Sequence, residues 1–309
     1  MGPVGGMNDT PVKRFYFQEY IDRIVLEDYL LKHMEETNRN FDEYMRYLLS
    51  LDNNEIFAFL VGHYFNEIIS SFKMEHAKLV DFNLIDKNDL FFNSFNISHR
   101  KIQSLHNFVM KVTGQEQIGA NGYRVKDVRV SKITQQGELV FFRGVQKEDI
   151  KFFMDQLIEV YKSKSLSVIH TNPFFKSAII HLLCVRIQPF LDGNKRTARL
   201  LYGMRFTNSI NDIYGLNLKI CPLNISPNMF INHLTYAKRI NDIWFDMEHD
   251  NNEELNNWLN FILDMVDEQI FYISSNMRKL IELFMDSEIS RKFRNDELIE
   301  QYEKKMRLK

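Results

Sequence analysis

The stretch RIQPFLDGNKRTARLL, residues 186–201, decides how the chain is read. It follows an apolar run, PFFKSAIIHLLCVRIQ at 173–188, and places Asp192, Gly193, Asn194, Lys195, Arg196 and Arg199 within eight positions. A tight glycine-containing turn that opens a helix points backbone N–H groups outward, and the helix dipole adds positive potential there. Arg196 and Arg199 are three residues apart, so they share one side of the helix start, and Lys195 adds a third cation. Such a cluster suits a triphosphate or pyrophosphate, which forked guanidinium groups match well. Asp192 fits beside an anion when a divalent metal lies between carboxylate and phosphate, as Mg²⁺ commonly does. The residues alone admit two readings: a Mg-nucleotide site, or a solvated basic helix start with Asp192 as a capping aid.

The bulk composition narrows the class. The chain has 309 residues, 45% of them hydrophobic and 26% charged, which matches a globular protein with a real core. Lysines and arginines number 39 against 41 acidic residues. That balance excludes a general nucleic-acid surface, which needs a broad basic face. Cys184 and Cys221 are the two cysteines and lie far apart, so neither a metal pair nor a disulfide framework is expected. No apolar run approaches the roughly eighteen residues that span a bilayer. The opening MGPVGG lacks the pattern of a signal peptide and reads as a leader or cloning remnant before Met7. The expectation is a reduced, cytoplasmic chain without membrane or nucleic-acid partners, with homo-oligomerisation left open.

Working outward, most of the chain shows helical periodicity. Residues 14–80 are helical in pattern, and EIFAFLVGHYFNEIISSF, 55–72, is apolar on most sides, as a helix buried between others would be. IQSLHNFVMKVTG, 102–114, predicts a helix stopped by Gly114. GYRVKDVRV, 122–130, and ELVFFRGV, 138–145, alternate like strands around a QQG turn, predicting one β-hairpin. Helices are expected again at 147–163, at 173–188 with Pro173 at the start, from 195, and beyond 226. The architecture is mainly α with one hairpin. The organisation expected is 1–100 as an N-terminal helical region, 101–240 as the core and 241–309 as a C-terminal helical extension.

Residues 188–199, QPFLDGNKRTAR, resemble the Fic (Fido) signature, His-Pro-Phe-x-Asp/Glu-Gly-Asn-Gly/Lys-Arg-x-x-Arg. LHNFVM, GYRVKDVRV and LVFFRGV precede it in the family's order, and the likeness runs from about residue 66 to 240. The resemblance implies the Fic helical fold and transfer of AMP from Mg-ATP to a hydroxyl of a target protein. It implies that Asp192 holds Mg²⁺ on the α- and β-phosphates, and that Gly193, Asn194 and Lys195 form the anion-binding turn. Arg196 would touch the phosphates and Arg199 the γ-phosphate. Val140, Phe141, Phe142, Arg143 and Gly144 match the family's flap, which aligns the target by strand addition. Tyr236 matches a tyrosine near the adenine, although Ala237 stands where a second tyrosine is usual.

Two departures bear on the chemistry. Gln188 occupies the position of the family's catalytic histidine, and a carboxamide cannot accept the hydroxyl proton near neutrality. Loss of a general base costs about 10²–10⁴-fold in rate, while nucleotide binding rests on other residues. The alternative is therefore an inactive nucleotide- or partner-binding module on the same fold. Lys195 is shared with the family's Doc toxins, in which the γ-phosphate is transferred, so a phosphotransferase is a further alternative. NEIISSFKMEH, 66–76, resembles the family's inhibitory helix, expected near 66–78, with Ser71 and Glu75 at its spacing and His76 where Gly or Asn is usual. That likeness implies a pair between Glu75 and Arg199 that excludes the γ-phosphate. His181, two turns before Gln188 and about 10 Å away along a helix, is expected to be a hydrogen-bonded core histidine. The tail, 290–309, reads as a solvated helix of mixed charge.

Overall fold

The computed structural model describes residues 16–75, 85, 97–115, 122–134, 137–165, 167–249, 252–285 and 287; for 129–134, 137–143, 241 and 244–249 it describes the backbone. The leader, His76 and the tail from 288 lie outside the described residues. The helices are α1 (Phe17–Asp22), α2 (Asp28–Ser50), α3 (Asn53–Met74), α4 (His99–Val112), α5 (Ile150–Lys162), α6 (Val168–Thr171), α7 (Pro173–Ile187), α8 (Asn194–Tyr214), α9 (Ser226–Ile231), α10 (His233–His249) and α11 (Glu253–Met285). Strands β1 (Arg129–Thr134) and β2 (Gly137–Arg143) form an antiparallel hairpin between α4 and α5. The hairpin pairs Arg129 with Arg143 and Thr134 with Gly137, with a register shift between Val130 and Ser131.

The centre is α7, every residue of which is buried. Asn172 caps it by accepting from the N–H groups of Phe174 and Phe175, each at 3.0 Å, and Pro173 fills the first turn where no N–H is needed. α8 packs along α7, α5 and α11 cover α7, and α3 and α4 flank α8. α3 starts in a capping box: Asp52 accepts from the Glu55 N–H while Glu55 accepts from the Asp52 N–H. α11 has 33 residues, about 50 Å of helix, and runs across α2, α3 and α7. One hydrophobic cluster from Phe17 to Ile281 joins the N-terminal, central and C-terminal segments. Among the described residues no helix is long and apolar enough to cross a membrane.

Candidate functional site

The turn between α7 and α8 starts at Gln188, whose φ of 50° and ψ of 59° place it in the left-handed region. It is the one described non-glycine residue with positive φ, a conformation that costs about 1–2 kcal/mol for a residue with a Cβ. Hydrogen bonds hold it there. Gln188 Nε2 donates to the Val185 carbonyl at 2.8 Å, and the Gln188 carbonyl accepts from Arg124 Nε at 2.6 Å.

Arg124 spreads its donors over two segments. Its Nη1 donates to the Lys126 carbonyl at 2.7 Å, and its Nη2 donates to the carbonyls of Val145 and, at 3.4 Å, Ile187. Its own backbone N–H donates to the Pro189 carbonyl at 2.9 Å. Both ends of the hairpin are thereby tied to the Gln188 turn by one buried guanidinium. The fit is tight at Gly144, where an added Cβ would lie 2.8 Å from Gln188 Cβ and 2.9 Å from Arg124 Nη2.

Beyond Gln188 the loop is shaped from inside. Phe190 is fully buried and stacks on His106 of α4, with ring centroids 3.7 Å apart. Burial pushes His106 down to about 4, so the ring is neutral, and its Nε2–H donates to the Asp192 carbonyl at 2.9 Å. Asn194 Oδ1 accepts from the Phe190 N–H and Asn194 Nδ2 donates to the Phe190 carbonyl, each at 2.8 Å. Asn194 thus closes the loop over four residues. Gly193 has φ of 74°, and a Cβ on it would come within 2.8 Å of Met110 Sδ, so both conformation and space demand glycine. Thr197 returns two bonds to the Gly193 carbonyl, from its N–H and its hydroxyl, both at 2.9 Å.

The charged groups gather at this turn. Asp192 is half-exposed, and its Oδ1 accepts from the Gly193 N–H at 2.5 Å and lies 3.3 Å from Arg196 Nη2. Arg196 is buried with its guanidinium 5.4 Å from the Phe72 ring centre, and its Nε and Nη1 have no hydrogen-bond partner. Arg199 is buried and fully engaged by α3. Its Nε donates to Ser71 Oγ at 2.7 Å, its Nη2 to the Ser71 carbonyl at 2.8 Å, and Nη1 and Nη2 to Glu75 Oε1 at 3.2 Å. Lys195 Nζ reaches the other carboxylate oxygen of Glu75 at 3.3 Å. Burial pushes the Glu75 carboxyl up, but Arg199 and Lys195 outweigh it, and its pKa is lowered.

The structure brings Gln188, Asp192, Gly193, Asn194, Lys195, Arg196 and Arg199 into one turn, with Ser71 and Glu75 against it. Glu75 itself caps the C-terminal end of α3. β2 runs beside α10, and the side chains of Val140, Phe141, Phe142 and Arg143 lie outside what is described. Tyr236 is buried, its hydroxyl 2.9 Å from His181 Nε2. His181 is a core histidine: burial pushes it down to about 3, and its ring stacks on Trp258.

Three further residues were not singled out by sequence. Arg124 and His106 hold the turn, and both stand inside segments that read only as a strand and a helix. Glu67, two turns before Glu75, is buried and accepts from Ser226 through its hydroxyl and, at 3.1 Å, its N–H. Among the described residues no three His, Cys, Asp or Glu side chains come together as a metal cage.

Residues 96–204, which contain this turn, match the model of the Fic/DOC family. Its fold is similar to that of a Fic family protein from Desulfovibrio desulfuricans, with a TM-score of 0.54 at 12% identity over 82% of this chain and 76% of that one. It is also similar to a Fic domain containing signaling protein from Bacteroides thetaiotaomicron, with a TM-score of 0.53 at 16% identity over 83% of this chain and 98% of that one. At such identities the likeness is one of fold. No curated protein sequence matches the chain.

Proposed function

We propose that the turn at 188–199 binds Mg-ATP, that the fold is built to pass AMP to a hydroxyl of a target protein, and that Glu75 and Gln188 both restrain it. The observation that carries nucleotide binding is Arg196. Two of its buried nitrogens have no partner beside the Gly193 turn and the half-exposed Asp192 carboxylate. A buried donor without a partner costs about 1–3 kcal/mol, which a phosphate oxygen would remove. A single carboxylate fits Mg²⁺, which takes most of its other ligands from phosphate and water. Asp192 would hold the ion, and the ion would neutralise phosphate charge.

The remaining roles follow from charge and reach. Arg199 and Lys195 would meet the outer phosphates, and Glu75 now occupies both. In the transfer, the target hydroxyl oxygen bonds to the α-phosphorus, the α–β bridging P–O bond breaks and pyrophosphate leaves. The hydroxyl proton needs a base, and Gln188 offers none. The hairpin β1–β2, tied to Gln188 through Arg124, is proposed to receive the target segment by strand addition.

Gln188 also favours a second reading, a binding module without transfer, because its amide is spent on the Val185 carbonyl. Labelled ATP separates these readings, applied to the chain and to Gln188→His, each with Glu75→Gly. Entry of α-label with the histidine alone, raised about 10²–10⁴-fold, supports AMP transfer. Entry of γ-label assigns a Doc-like phosphotransferase through Lys195. Binding without either label leaves the module. Absence of ATP binding in the Glu75→Gly chain, followed by calorimetry, would sink the nucleotide site itself.

A further inference from the structure

Outside the turn at 188–199, buried polar groups collect a second time where α1, α5, α6, α7 and α8 meet. Lys176 of α7 is 3% exposed, and its Nζ donates to the Ser163 carbonyl at the end of α5. Arg205 of α8 lies over the Tyr161 ring, 5.3 Å from its centre. Among the described residues neither cation forms an ion pair, although the exposed Asp212 acts on both from a distance. Burial and the charge of Arg205 push Lys176 down to about 8. Two buried cations within electrostatic reach of each other, with no carboxylate between them, are unfavourable.

The same junction holds five buried atoms without a hydrogen-bond partner: Gln18 Oε1, Ser167 Oγ, His170 Nδ1, Arg205 Nε and Asn208 Oδ1. Arg205 and Asn208, three residues apart, share one face of α8, and Asn208 Nδ2 donates to the Tyr161 hydroxyl at 2.8 Å. His170 is 6% exposed and feels the charges of Lys176 and Arg205; burial pushes its pKa down, so the ring is neutral. Gln18 Nε2 donates to Asp22 Oδ1 at 2.8 Å, which fixes the nitrogen end of its amide. The same nitrogen faces His170 Nε2 at 2.9 Å, so that ring nitrogen accepts and the ring proton sits on the unpartnered Nδ1. The unmet demand is therefore of both kinds. Lys176, Arg205 and His170 present donors under positive potential, and Asn208 presents a bare carbonyl oxygen. Sulfate and carboxylate ions only accept hydrogen bonds. A phosphate group titrates near neutrality, so it offers charged oxygens together with a P–OH that donates.

We propose that this cluster binds a phosphate group, free or at the end of a phosphomonoester, between Lys176, Arg205, His170 and Asn208. It shares no residue with the turn at 188–199 and holds whether or not that turn takes ATP. Its test is calorimetric titration of the full chain at neutral pH with inorganic phosphate, sn-glycerol 3-phosphate and sulfate. One saturable phosphate site is expected, retained in Arg196→Ala and weakened about tenfold by Lys176→Met or Arg205→Met, each of which removes a cation. Sulfate should bind about tenfold more weakly than phosphate, because it has no proton to give Asn208. Asn208→Asp should abolish binding and raise the melting temperature, since its carboxylate then supplies the missing charge from within; it serves even if the methionine variants fail to fold. Tighter binding of glycerol phosphate assigns a phosphomonoester, and equal or weaker binding assigns free phosphate; either supports the site. Absence of saturable heat would leave the cluster to water and overturn the proposal. So would equal binding of sulfate, unchanged binding in Asn208→Asp, or binding that is lost in Arg196→Ala and kept in a folded Lys176→Met chain.

Discussion

Glu67 and Glu75 stand about two turns apart along α3, and both feel the charge of Arg199, yet the fold treats them in opposite ways. At Glu67, burial dominates and pushes the carboxyl up to about 7, against the Ser226 bonds and Arg199. At Glu75, burial also pushes upward, but Arg199 and Lys195 win and the pKa is lowered. The difference is the number of cations within reach and the access of water: the Glu75 side chain keeps 23% of its surface exposed, and Glu67 sits inside the core. One glutamate is part of the packing. The other, on the function proposed above, is a charged plug at the mouth of a site.

Removing the shared cation should break this contrast with the largest effect. Arg199→Ala leaves a partly buried carboxylate facing no guanidinium, and breaking a buried pair from one side costs about 3–5 kcal/mol. The urea midpoint should fall accordingly at neutral pH. A midpoint that does not move would mean that Glu75 and Ser71 gain nothing from Arg199, and the plug would be an accident of packing.

A smaller effect isolates Glu67. Its pKa rises from 4.5 to about 7 on folding, so between those values the folded chain holds a proton that the unfolded chain has released. Stability from this group therefore falls as pH rises from 4.5 to 7 and is level above that, by an amount on the order of 3 kcal/mol. The lowered Glu75 works the other way: its contribution is present above 4.5 and is lost as pH falls through the folded pKa. Glu67→Gln should flatten the descent between 4.5 and 7 in urea melts while leaving the acid limb. An unchanged descent would place the titration elsewhere.

That contrast also marks what was legible in the sequence. Ser71, Glu75 and Arg199 were readable because a short spacing and a long motif each constrain one helix, and the fold had only to bring them together. The turn was readable because Asp192, Gly193 and Asn194 carry their chemistry in residue type. Glu67 was not, since it stands in the same apolar helix and only the approach of Ser226 makes it a partner. Arg124 was hidden similarly, because its value lies in carbonyls from 126, 145, 187 and 188 that no local pattern connects. The first strand of the hairpin was expected at 122–130, but the pairing runs over Arg129–Thr134 and Gly137–Arg143, because the backbone of 122–128 follows the carbonyls held by Arg124 instead. The register shift at Val130–Ser131 is not encoded by alternation.

The smallest stability effect should come with a clear functional one. Glu75→Gln keeps size and shape but removes the charge that holds Lys195 and Arg199. The amide oxygen can still accept from Arg199, which also keeps its two bonds to Ser71, so stability should fall by about 1–2 kcal/mol, less than in Arg199→Ala. Freed of that charge, the two cations would accept outer phosphates, and ATP affinity should rise about tenfold, a coupling in the usual range. Acid should mimic the variant, because protonating Glu75 discharges the plug, so the affinity advantage of Glu75→Gln over wild type should shrink as pH falls through the lowered pKa. Calorimetric titration with Mg-ATP at two pH values measures both. A variant that loses several kcal/mol of stability and gains no affinity would make Glu75 a structural residue like Glu67, and the division between packing and plug would vanish.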